Sequence, residues 1–133
     1  MKTLKEVFLH SKKEEVYHFL EKLNHGDSPK FESITRNDIY NNVISLYKND
    51  PELILNLCST EEIEILKKLL VEELVPTPSY VDYIVFQKLA ENYLVIKEEK
   101  YYIPSDLINY IKMAINIYNF KEFSMKDIKD SVL

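Results

Sequence analysis

Along the chain a serine or threonine is repeatedly followed, three positions on, by an acid, as in SKKE at Ser11, TRND at Thr35, STEE at Ser59, SYVD at Ser79 and SMKD at Ser124. At that spacing the hydroxyl and the carboxylate satisfy unpaired amides in a helix's first turn, so each segment marks a helix start. Asp50 followed by Pro51 adds another, because proline at the first helical position gives up no hydrogen bond. A chain with so many starts is mainly α. The starts and the apolar spacing predict helices at about 4–9, 12–24, 36–48, 51–57, 60–74, 80–92 and 106–119, with a last one from near 125. Val16, Phe19, Leu20 and Leu23 share one face, as do Ile39, Val43, Leu46 and Tyr47, and Ile63, Leu66, Leu69 and Leu70. Each of these helices buries one stripe.

Residues 25–33, HGDSPKFES, hold the only glycine, and VPTPS at 75–79 is the second break, where Pro76 and Pro78 bias their predecessors away from helix. We read residues 1–50 as an N-terminal helical hairpin packed on the rest. Residues 51–119 form the larger part, and residues 120–133 are a partial C-terminal helix, cut short as in the N-terminal domain of a longer chain. One glycine leaves no material for a phosphate-cradling loop, which excludes dinucleotide-binding and P-loop classes. The N-terminus has no signal-peptide core and no stretch approaches a membrane span. A single cysteine, Cys58, excludes an internal disulfide and fits a reducing compartment, so a soluble cytoplasmic protein is expected.

Residues 94–107, LVIKEEKYYIPSDL, read as a β-hairpin and a helix start. With a tight turn at Glu98 and Glu99, Lys97 falls opposite Lys100, Ile96 opposite Tyr101 and Val95 opposite Tyr102. That register puts Leu94, Ile96, Tyr101 and Ile103 on one face and Val95, Lys97, Lys100 and Tyr102 on the other. Glu-Glu is poor chemistry for a two-residue turn, and a longer type I loop fits as well.

Helix 60–74, the proline turn, helix 80–92 and this hairpin resemble, in that order, the winged helix-turn-helix fold over residues 51–104. SKKEEVYHFLEKL and ITRNDIYNNVISLY, joined by a loop, are similar to the helix, extended loop, helix modules of the N-terminal domain of the terminator Rho and of SAP domains, although the loop here lacks their basic turn. The winged-helix resemblance implies a nucleic-acid-binding regulator with helix 80–92 as reader and Lys88, Lys97 and Lys100 as phosphate contacts.

The charge distribution opposes that implication. Net charge is -5, residues 51–78 carry two lysines against six acids, and Arg36 is the only arginine. Few phosphates can be neutralised by so few cations. A protein partner suits the same surface better, through Tyr80, Tyr83, Gln87, Val95 and Tyr102, since tyrosine is enriched at interfaces. Helix 106–119 is apolar on most sides, and we expect a homodimer through Ile108, Ile111 and Ile115. His10, His18 and His25 lack the i, i+4 spacing of a one-helix metal site, and no nucleophile sits beside a base in any known pattern. The expectation is a non-enzymatic protein-interaction module without metal or cofactor.

Overall fold

The computed structural model describes residues 1–75 and 80–132, with side chains described except at 80, 81 and 126–132. Among the described residues it holds seven α-helices and one two-stranded hairpin: α1 (Leu4–His10), α2 (Lys13–Leu23), α3 (Arg36–Asn49), α4 (Glu52–Asn56), α5 (Thr60–Leu69), α6 (Tyr80–Glu91), β1 (Ile96–Lys97), β2 (Tyr101–Tyr102) and α7 (Ile108–Val132). A single 3-10 turn, Phe31–Ser33, precedes α3. The chain is mainly α with one small hairpin. Among the described residues no helix is long and apolar enough to cross a membrane.

Two helix starts form as their spacing demands. Thr35 Oγ1 accepts from Asp38 N–H at 3.1 Å while Asp38 Oδ2 accepts from Thr35 N–H at 3.0 Å, a reciprocal capping box. Hydrogen bonding to the carboxylate, first from the Thr35 backbone N–H and then from the Thr35 side chain, holds Asp38 below its ordinary range. Ser59 Oγ accepts from Glu62 N–H at 3.2 Å. Ser11 serves the other helix: its hydroxyl donates to Val7 O at 2.6 Å and closes α1, and α2 begins without a side-chain cap. Ser124 lies inside α7, and the proline break and Ser79 fall outside the described residues.

Two helix boundaries differ from expectation for physical reasons. α5 stops at Leu69 because Leu74 is taken by the hairpin: Leu74 N–H donates to Tyr101 O at 3.1 Å and Tyr101 N–H to Leu74 O at 2.8 Å. α7 is one helix through the expected break at 120–124, since that stretch has no glycine or proline to end it.

The hairpin register is shifted by one from the expected pairing. Ile96 pairs with Tyr102 and Lys97 with Tyr101, and Glu98 N–H donates to Lys100 O across a three-residue loop at 3.0 Å. A two-residue primed turn needs positive φ, and among the described residues only His25, Gly26 and Tyr93 have it. The loop lengthens instead, and the expected division into an inner and an outer face is lost. Leu94, Val95, Tyr101, Tyr102 and Ile103 are all buried.

One apolar core runs through both halves of the chain. Leu4 and Phe8 of α1, Phe19 and Leu20 of α2 and Val43 and Tyr47 of α3 join Ile54, Leu66, Leu89, Leu94 and Ile111 in it. α3 packs on α1 and α2, α4 and α5 pack on α7, and α6 packs on α5. The N-terminus is tied to the far end of the sequence. Asp106 accepts from Leu4 N–H at 2.8 Å and Lys5 N–H at 3.1 Å, and Tyr40 Oη donates to its Oδ2 at 2.7 Å. Lys2 N–H donates to Tyr102 Oη at 2.8 Å, and that hydroxyl donates to Glu98 Oε1 at 2.8 Å.

Candidate interaction surfaces

A helix of 25 residues has one stripe to bury, and among its described side chains α7 buries it over the first half. Ile111, Ala114 and Ile115 are buried in the core, and Tyr118 is half-buried beneath the Lys67 ammonium, 5.0 Å from the ring centre. Continuing the same stripe by seven residues leads to Met125, which is 68% exposed. Among the described side chains of α7 none beyond Ile115 is fully buried. Past Tyr118, Lys121 Nζ meets Glu52 Oε2 of α4 at 2.9 Å.

The opposite side of α7 is also apolar. Met113, Phe120 and Phe123 recur at spacings of seven and three, which places them along one ridge, at 47%, 72% and 66% exposure. Asn116 lies between them and no charged side chain interrupts the ridge. Sequence reasoning missed these residues. The signal available was the absence of any helix breaker after residue 108.

The residues expected to form an interface are scattered by the fold. Val95 and Tyr102 are 3% and 5% exposed, because α1 covers the hairpin; Leu4 and Val7 share with Val95 and Ile96 a cavity of about 190 Å³. Ile111 and Ile115 are core residues and Ile108 is half-buried, so a dimer cannot pack on the first two. Tyr83 and Gln87 are exposed on α6; Gln87 Nε2 donates to Glu91 Oε1 at 3.3 Å. The side chain of Tyr80 lies outside the described residues.

The three lysines of the nucleic-acid reading are all exposed. Lys97 Nζ stands 5.9 Å from the Tyr83 ring centre. Lys100 lines a cavity of about 460 Å³ with Met1, Glu73, Glu98, Glu99 and Tyr102, where its charge is outnumbered. The chain matches no protein-family model, no curated protein and no solved structure.

Buried polar groups cluster at the start of α5. Ser59 Oγ donates to Glu62 Oε1 at 3.2 Å, and the other carboxylate oxygen is buried with no hydrogen-bond partner. Burial, helped by the Glu62 charge, pushes the neighbouring Cys58 thiol up to about 12. Burial also raises Tyr47, with a smaller contribution from Cys58. A thiol held protonated in this way is a poor nucleophile. Among the described residues no group of three or more His, Cys, Asp or Glu is arranged to hold a metal ion.

Proposed function

We propose that this protein is a non-enzymatic, cytoplasmic interaction module that pairs with a second copy through the outer half of α7. The exposed apolar ridge of Met113, Phe120 and Phe123 carries this reading. Contiguous exposed apolar surface of this kind marks a contact site on a folded protein. A second copy is the occupant because the ridge carries no charge between Met113 and Phe123, so the same patch on two chains can meet across a two-fold axis without repulsion. Two ridges laid against each other bury on the order of 1,000 Å², taking 150–250 Å² for each aromatic side chain, and that is the lower edge of a specific interface.

A winged-helix-like arrangement over residues 51–104 belongs to the same proposal. α5, α6 and β1–β2 follow one another in the expected order, and Leu74 adds a third strand position beside β2. In this reading the wing has a structural task, since its tyrosines are spent on the core and on the N-terminal tie. Nucleic-acid binding is the weaker alternative, with Lys100 set among three glutamates.

Sedimentation velocity from low micromolar to near-millimolar concentration tests the pairing. A concentration-dependent dimer that Phe120→Glu with Phe123→Glu converts to a folded monomer is the expected result. A monomer throughout, or a dimer indifferent to both substitutions, overturns it.

A further inference from the structure

A second surface lies away from α7. Along the seam of α5 and α6 the buried residues are Ile63, Leu66, Leu69, Phe86 and Leu89. Beside that seam, half-buried Ile65 and Val85 line an open groove of about 260 Å³ whose other walls are Thr60, Glu61, Glu64 and Asp82. The volume falls just below that of ordinary small-molecule sites, about 300–1,000 Å³, and the groove runs between two helices, the setting in which an amphipathic helix lays down its apolar face.

The chemistry of the walls selects the occupant. Among the described residues three carboxylates and no cation line the groove. Lys67, three positions after Glu64, is turned toward Glu64 Oε1 at 3.0 Å and the Tyr118 ring. Asp82 already has a partner in the chain, which leaves Glu61 and Glu64 as the carboxylates offered to a ligand. The Glu64–Lys67 pair is a solvent-accessible i, i+3 contact and is readily exchanged. An acidic peptide or a nucleic acid is repelled here, and a neutral aliphatic ligand satisfies the floor alone.

We propose that this groove binds a basic amphipathic helix of a partner protein, with an aliphatic side chain on Ile65 and Val85 and lysine or arginine on Glu61 and Glu64. The site is independent of the α7 ridge. The probe is a fluorescein-labelled helical peptide with leucine along one face and lysine flanking it, titrated into the full chain by fluorescence anisotropy and mapped by amide chemical shifts. The controls are a peptide of the same composition in scrambled order and one with glutamate in place of lysine.

Saturable binding of the amphipathic basic peptide alone is expected, with shifts centred on Ile65 and Val85. Affinity should fall at least tenfold in a Glu61→Lys, Glu64→Lys variant whose helical circular dichroism is unchanged, and should weaken with salt as the rim charges are screened. No saturation, equal binding of the scrambled peptide, indifference to the two substitutions, or shifts centred on Glu73, Glu98 and Glu99 overturns the proposal. Repeating the titration with Phe120→Glu and Phe123→Glu in place separates its outcome from that of the α7 pairing.

Discussion

The ring of Tyr93 lies 5.0 Å from that of Phe8, edge to face, while its own backbone sits in the left-handed region at φ +59°. Phe19 closes on the same ring at 4.9 Å. Tyr93 follows the end of α6, where Leu94 N–H returns to Leu89 O at 3.0 Å and a glycine is the usual occupant. Aromatic packing therefore holds a conformation that an L-residue disfavours by about 1–2 kcal/mol.

This pairing fixes an order of stabilities. Tyr93→Ala loses the ring and keeps the strain, whereas Tyr93→Gly loses the ring and relieves it. Urea unfolding should rank wild type above Tyr93→Gly and Tyr93→Gly above Tyr93→Ala, the last two separated by about 1 kcal/mol. Equal midpoints for the two variants would show that the backbone is unstrained.

Asp106 is the remote cap of α1. Asp106→Ala strands the Leu4 and Lys5 amides and the Tyr40 hydroxyl, and we expect a loss of about 2–3 kcal/mol with an unchanged denaturant slope. Asp106→Asn keeps one acceptor and should cost less. An alanine variant as stable as wild type would mean that water replaces all three contacts.

Alkaline pH should unfold the protein. Burial raises Tyr40, which also donates to Asp106, and raises Tyr47 and Cys58. Each group binds its proton more tightly folded than unfolded. Their contribution is therefore complete below the ordinary values of 9.0 for the thiol and 10.0 for the phenols, and is lost as pH rises through the folded values. Tyrosinate absorbance and circular dichroism should change together in one cooperative step. Cys58 should resist alkylation at mildly basic pH until denaturant is added, and rapid labelling of the folded chain would contradict the burial.

Two positions on one helix should respond in opposite ways to the same substitution. Ile111→Glu places a charge in the core with no partner, at a cost of several kcal/mol that rivals a small domain's whole stability. Phe120→Glu places it in water. Thermal unfolding should show a lost or strongly lowered transition for the first and a near-normal one for the second.

How far the sequence could be read depended on the range of the interactions involved. The faces of α2, α3 and α5 and the caps at Thr35 and Ser59 were legible because each is decided within one or two turns of helix. Ser11 was assigned to the wrong helix because only two residues separate α1 from α2, and its hydroxyl had carbonyls on one side and amides on the other. Val95 and Tyr102 were read as outward because alternation assumes one wet face, and residues 2–7 cover that face from far away in sequence. The continuity of α7 was available in its lack of breakers. The exposure of Phe120, Phe123 and Met125 was not, because it depends on where α4 and the core stop.

The tie between the N-terminus and Asp106 also sets a timetable. Leu4 and Asp106 are 102 residues apart, so α1 leaves the ribosome several seconds before its capping carboxylate is made, at about 5–20 residues per second. α1 is made before its cap and is locked only after it. Until then Phe8 has no Tyr93 to pack against, and the nascent chain must carry its exposed aromatic side chains through most of its own translation.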